Sequence, residues 1–264
     1  MQIKPCTNAG VDHRESTDRG AGDALRAQCF TGNLQFVDIH TSGTLADLAR
    51  TRADLAVIAL PAQEVAAALK VAGRMACRSA LIVSSGIDAE HATELKRIAK
   101  HEGVHLLGPN GLGVQRPRSQ LNASAAGPLA KAGSLALVSQ SGALTSSMLD
   151  WARQNAVGFS SVVSLGPHTS IDIAQVLDYL ASDSQTQSII VYLEGIGSAR
   201  RFMSALRSAA SAKPVVVLKA GRKPAGNEAA HTHSGATVGS DDVFDAALRR
   251  AGAVRVRSFV GLRR

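Results

Sequence analysis

Near its C-terminus the chain reads "HTHSG", His231 to Gly235, a run of small and polar residues just ahead of a helix-like segment. An imidazole on such a loop has three readings. It can be a surface histidine. It can ligate a metal, but His231 and His233 stand two apart with no third clustered ligand, which speaks against a metal site. Or its nitrogen can attack phosphorus and become phosphohistidine. That chemistry needs an anion site nearby and a carboxylate behind the ring.

Two other loops carry the matching residue types. After the apolar run "SLALV" comes Ser139-Gln140-Ser141-Gly142, followed by a helix-like segment. Small residues let a ligand approach the backbone, and a helix start presents free N–H groups and a positive dipole end, which suits phosphate. Ser141 as a plain helix cap is the competing and compatible reading. A serine-nucleophile elbow is not met, because Ser139 and Gln140 stand where its first half belongs. After "SIIVYL" comes Glu194, then Gly195. A carboxylate ending an apolar strand can orient an imidazole or can simply be an exposed strand-end acid.

The elements that must position these loops alternate. From "LQFVDI" through "DLAVIALP", "AQEVAAALKVAGRMA", "SALIVSSG", "AEHATELKRIAKHEG" and "VHLLG", strand and helix patterns succeed one another, after a short helix predicted at "GAGDALRAQCF". The stretch "GPNGLGVQRPRSQLNASAAGPLAKAG" has many glycines and prolines and no periodicity, so it reads as an interdomain linker. The alternation then restarts and runs from "SLALVSQ" to "PVVVLKAG" and the helix "DVFDAALRRAG". This is the pattern of two α/β units with parallel sheets, whose ligands sit at the carboxyl ends of strands. "GAGDAL" is only part of a dinucleotide fingerprint and follows no strand.

The composition agrees. The chain has 264 residues, 45% hydrophobic but only 3% aromatic, so its core is aliphatic. Lys+Arg 29 against Asp+Glu 21 gives a net charge of +8, which favours anionic partners. The basic residues are dispersed and lack a stacking aromatic cluster, which argues against nucleic acid. Three scattered cysteines give no disulfide framework. There is no apolar leader and no run long enough to span a bilayer, so a soluble, cytoplasmic protein is expected, with no membrane partner.

Taken together, "LLGPNGLGVQRP", "SLALVSQSGAL", "VVSLG", "IIVYLEGI", "KPVVVLKAGR" and "THSGATVGSDDVFDAALRRAGAVRV" resemble the NDP-forming acyl-CoA synthetases, relatives of the succinyl-CoA synthetase α subunit. The branch closest in feel joins this module to ATP-grasp and GNAT lysine acetyltransferase domains. The resemblance implies an α/β fold: a Rossmann-like CoA-binding domain over 1–118, its N-terminal strand degraded or missing, a linker over 119–132, and a flavodoxin-like succinyl-CoA-ligase domain over 133–264. It implies a reaction of acyl-CoA, phosphate and NDP to acid, CoA and NTP through an acyl phosphate and a phosphohistidine. By motif, His233 matches the phosphorylated histidine and Glu194 the carboxylate paired with it. Ser139, Ser141, Gly142 and Gly235 fall at the phosphate site, and Pro61, Ser85 and Asn110 in loops that border coenzyme A. No resident metal is implied; nucleotide and Mg would come only with an ATP-grasp β-like subunit or domain.

Two departures stand out. "NAGVDHREST" occupies the place of an apolar strand and glycine turn that cradle CoA in relatives, and Gly111 replaces the cysteine of "GPNCLG". The competing expectations are therefore a non-catalytic CoA or acyl-CoA-binding regulatory module of a protein acetyltransferase system, or a truncated remnant of one.

Overall fold

The computed structural model describes residues 8–10, 34–36, 52–166, 169–220, 241–258 and 261. The predicted helix at "GAGDALRAQCF", the polar stretch "VDHREST" that replaces the relatives' glycine turn, and His231, His233 and Gly235 lie outside the described residues. The chain forms two compact units: Met1–Leu129 with Leu165–Ile171, and Ala130–Ser164 with Asp172–Arg264.

In the first unit, β1 (Asn8–Gly10), β2 (Leu34–Phe36), β3 (Leu55–Ile58), β4 (Ser79–Ile82) and β5 (His105–Leu107) form a parallel sheet in the order β2-β1-β3-β4-β5. Where the N-terminal strand is expected to be degraded or missing, the described residues Asn8–Gly10 form β1 and pair with both β2 and β3. Its position there rests on backbone pairing, which needs no apolar side chains. Helix α1 (Ala62–Arg74) follows β3, and α2 (Ala89–Glu102) follows β4. Apolar residues recur on one face of each helix, so Val65, Leu69, Leu95 and Ile98 are buried with Ile58, Ile82 and Leu106 in one cluster. Each such aliphatic side chain contributes about 1.5–3 kcal/mol by leaving water. The Asp88 carboxylate caps α2 by accepting from the His91 N–H at 2.8 Å. Gly103 ends it in the left-handed region with φ 70, a conformation that other residues adopt at a cost.

The same unit contains a feature the sequence reading did not anticipate. β6 (Gly113–Arg116) and β7 (Leu121–Ser124) form an antiparallel hairpin. β7 lies inside the stretch expected to be a structureless linker. The hairpin buries three polar side chains, Gln115, Asn122 and Ser124, beside Ala123. Gln115 Nε2 donates to Ser124 Oγ at 3.1 Å, and Asn122 Nδ2 donates to the Gly127 carbonyl at 2.8 Å. The inward face is thus satisfied by hydrogen bonds rather than by apolar packing, which removes the usual strand signature. Thr169, Ser170 and Ile171, which belong to this unit, bond to Leu106 of β5. Ser170 Oγ accepts from the Leu106 N–H at 3.0 Å, and the Ile171 N–H donates to the Leu106 carbonyl at 3.0 Å. That occupies polar groups of a strand at the end of the sheet.

In the second unit, β8 (Ala132–Ser139), β9 (Phe159–Ser164), β10 (Ser188–Leu193), β11 (Val215–Lys219) and β12 (Val254–Val256) run parallel in the order β12-β11-β10-β8-β9. Counted along the chain this is 2-1-3-4-5, the order of flavodoxin-like sheets. Helices α3 (Gly142–Gln154), α4 (Ile173–Ser182), α5 (Ala199–Ala212) and α6 (Asp241–Ala251) lie between successive strands. β12, the fifth strand, was not anticipated. Asp172 caps α4 in a reciprocal arrangement with Gln175: its carboxylate accepts from the Gln175 N–H at 3.0 Å, and the Gln175 side-chain Oε1 accepts from the Asp172 N–H at 2.9 Å.

In an order of 2-1-3-4-5, crossovers leave the first and third strands in opposite directions, which opens a crevice at their carboxyl ends. In the second unit those strands are β8 and β10. The Ser139–Gly142 turn follows the first, and Glu194 follows the second.

Candidate active site

β8 ends at Ser139, whose side chain is fully buried. Its hydroxyl donates to the Ser141 carbonyl at 2.9 Å and accepts from the Ser141 N–H at 3.1 Å. This closes a tight turn and directs the chain into α3. Ser141 is extended, with φ −109 and ψ 121, and its Oγ accepts from the Leu144 N–H at 3.4 Å. Ser141 is therefore a helix cap, as one reading of the sequence held. Thr145 Oγ1 also donates to the Ser141 carbonyl at 2.7 Å. Capping one amide leaves the first two of the helix, Gly142 and Ala143, without intrahelical acceptors, as at any helix start. Those groups and the dipole give the start of α3 a partial positive charge.

Glu194 directly follows β10 and is buried, with 9% exposure. That excludes the exposed strand-end reading. Its charge reaches the neighbouring Tyr192 phenol, whose pKa is raised first by burial and second by the Glu194 carboxylate.

Gln140 connects the two loops. Its Oε1 accepts from the Glu194 N–H at 2.7 Å and from the Gly195 N–H at 3.1 Å. Its Nε2 donates to the Gly195 carbonyl at 3.0 Å. Its own backbone N–H donates to the Tyr192 carbonyl at 3.3 Å. In the sequence Gln140 stands out only as a mismatch to the serine-nucleophile elbow, with no role of its own.

A second missed residue is Lys219, the last residue of β11. It is buried, donates to the Ala220 carbonyl at 3.1 Å, and lies 5.4 Å from the centre of the Phe244 ring. Burial is the main cause of its lowered pKa; Arg255 adds to the effect and Asp241 opposes it. The available signal was a lysine closing the otherwise apolar "VVVLK".

In the first unit, Pro61, Ser85 and Asn110 follow β3, β4 and β5, respectively. Pro61 and Ser85 are exposed. The loops are tied by the residue beside Ser85: Ser84 Oγ accepts from the Leu60 N–H at 3.0 Å, and the Ser84 carbonyl accepts from the Asn110 N–H at 3.2 Å. Asn110, at φ 61, uses its amide as Gln140 does. Its Oδ1 accepts from the Ile87 N–H at 3.2 Å, and its Nδ2 donates to the Ile87 carbonyl at 2.6 Å. Gly108 holds φ 88 against β4, where a Cβ would run into the Ile82 carbonyl oxygen.

Comparison with known proteins matches these units to one group. The profile of the succinyl-CoA ligase like flavodoxin domain covers residues 132–263, half of the chain and the five parallel strands β8 to β12 of the second unit. The chain belongs to the succinyl-CoA ligase-like family of NDP-forming acyl-CoA synthetases. It is 39% identical over 211 residues to acetate–CoA ligase [ADP-forming] I of Archaeoglobus fulgidus, covering 78% of this chain and 31% of that protein. It is 37% identical over 209 residues to acetate–CoA ligase [ADP-forming] I subunit alpha of Pyrococcus furiosus, covering 76% of this chain and 45% of that protein. The chain thus spans less than half the length of these curated relatives. Among solved structures, the dinucleotide forming acetyl-coenzyme A synthetase 1 of Ca. Korarchaeum cryptofilum in complex with phosphate and ADP superposes with a TM-score of 0.89 at 27% identity, covering 98% of this chain and 59% of that one. The family's fold, a mixed α/β pair of mostly parallel sheets, is the one described above. Among the described residues no helix is long and apolar enough to cross a membrane.

Proposed function

We propose that the chain is the α-like part of an NDP-forming acyl-CoA synthetase and works with an ATP-grasp partner in the cytoplasm. The observation that carries this reading is the joining of the Ser139–Gly142 turn to Glu194 through Gln140, in a family of acyl-CoA ligases. An anion site and a buried carboxylate at one sheet edge are what a phosphoryl-accepting imidazole requires.

In this proposal Pro61, Ser85 and Asn110 border the CoA moiety. A phosphate held at Ser139, Ser141, Gly142 and Gly235 attacks the thioester carbonyl. The C–S bond breaks, CoA leaves as thiolate, and an acyl phosphate remains. An imidazole nitrogen of His233 then attacks phosphorus, and the P–O bond to the acyl group breaks with release of the carboxylate. Glu194 keeps the other ring nitrogen as N–H and offsets the positive charge of the phosphoimidazole. The NDP then attacks phosphorus and the N–P bond breaks, giving NTP; Mg and nucleotide are held by the partner. The names of the relatives make acetyl-CoA the first substrate to try.

The test runs the last steps backwards. With labelled ATP and an ATP-grasp partner, the wild type should acquire acid-labile phosphate. His233→Ala should abolish it, and His231→Ala should leave most of it. Equal labelling of wild type and His233→Ala would exclude His233 as the carrier.

A further inference from the structure

The pairing of β8 with β10 ends at Ser139 and Tyr192. Beyond that pair the β8 chain turns into α3, and the Glu194–Gly195 backbone loses its neighbouring strand. Buried N–H and C=O groups at such a strand end still require partners. Gln140 supplies them from its side chain. Its carboxamide presents one carbonyl and one N–H₂ group, as a peptide unit would, and extends the ladder by one rung. The carboxamide offers an acceptor and a donor in one plane without carrying charge.

We propose that Gln140 is a positioning residue that fixes the Glu194 carboxylate relative to the Ser139–Gly142 turn. The proposal rests on the synthetase reading of this site. Gln140 reaches the anion loop through its own backbone and the Glu194 loop through three side-chain hydrogen bonds of 2.7, 3.1 and 3.0 Å. The Glu194 N–H is the shortest of the three, so the Cα that carries the carboxylate is the most directly fixed. A small displacement of a group that orients a nucleophile costs rate steeply. Gln140 therefore acts on the chemistry through Glu194.

A double-mutant cycle reads this dependence, because residues acting through one another are non-additive. Four proteins are compared with the ATP-grasp partner and labelled ATP: wild type, Gln140→Met, Glu194→Gln and the double variant. Gln140→Met keeps the length and removes every polar atom. It should slow phosphorylation at least tenfold. The double variant should be no slower than Glu194→Gln alone. Losses that multiply, or wild-type labelling by Gln140→Met, would overturn the proposal. If Gln140→Met does not fold, Gln140→Asn serves in its place: it keeps an uncharged carboxamide but, one methylene shorter, withdraws it from the Glu194 and Gly195 backbone.

Absence of labelling in the wild type, with a partner shown to be competent, would strike the synthetase reading and not the clamp. The clamp is then read directly by amide hydrogen exchange at Glu194 and Gly195. Gln140→Met should accelerate both at least tenfold relative to Val191 in the middle of β10. Unchanged protection at these two amides would overturn the proposal.

Discussion

Gln140 and Gly195 exchange a reciprocal pair of hydrogen bonds, 3.1 Å from the Gly195 N–H to Oε1 and 3.0 Å from Nε2 to the Gly195 carbonyl, although 55 residues separate them. A side chain from one strand end thus completes the backbone of its neighbour. The geometry explains how a buried acid can sit at the end of a strand without the loop around it sagging: the Glu194 and Gly195 N–H groups have defined acceptors.

Removing the charge of Glu194 while keeping its shape separates orientation from packing. Glu194→Gln should slow phosphohistidine formation by about 10²–10⁴-fold, the loss typical of a positioned acid–base group. Quench-flow labelling measures the rate. A variant as fast as wild type would remove Glu194 from the chemistry.

The same substitution has a readout independent of activity. The Tyr192 phenol is raised by burial and, second, by the Glu194 charge. In Glu194→Gln the second cause disappears, so Tyr192 should ionise at lower pH than in wild type, while burial still holds it above 10.0, the ordinary phenol value. The chain has 2 tyrosines, so a Tyr179→Phe background makes the absorbance titration specific. An unchanged midpoint would mean the carboxylate does not face Tyr192 in solution.

The observed cap and the proposed phosphate contact of Ser141 respond oppositely to a negative charge. Ser141→Ala should lose the cap to Leu144 and about 1 kcal/mol of stability. Ser141→Asp should retain capping, since aspartate is an equally good cap and favours the helix dipole. It should nevertheless weaken binding of inorganic phosphate at least tenfold at low ionic strength through like-charge repulsion. Calorimetric titration with phosphate decides; undiminished binding by Ser141→Asp would place the anion elsewhere.

Cys77 gives a pH dependence with a definite sign. Burial, with the Asp54 charge as a lesser cause, pushes its thiol from 9.0 up to about 11. Between those values the unfolded chain releases a proton that the folded one keeps. The native state then binds more protons, and stability falls as pH rises through that window. Cys77→Ala should flatten the decline. Melting temperatures from pH 8 to 11 measure it, and parallel curves for the two proteins would count against this account.

Much of this architecture could be read from the chain. Aliphatic runs such as "DLAVIAL" and "SIIVYL" are buried strands because nothing polar interrupts them, and Gly103 marks the end of α2 because a left-handed residue is needed there. The Ser141 turn was legible for the same reason: small residues between a strand and a helix. What escaped was structure held by polar atoms. β1 is Asn-Ala-Gly, and β7 turns Asn122 and Ser124 inward, so neither carries an apolar pattern. Gln140 escaped because its partners are backbone groups, which no residue type announces. Ser84 escaped because its exposed neighbour, Ser85, looks equally suited to a loop.

Residues 165–171 belong to the first unit although they are encoded within the second. The polypeptide therefore passes between the units three times. No single genetic breakpoint separates two self-sufficient modules. A chimera that exchanges the first unit with that of a relative must exchange two stretches of gene, or Leu106 receives a foreign partner for its backbone. In this chain the short segment after β9 must therefore match a strand it is not adjacent to in sequence.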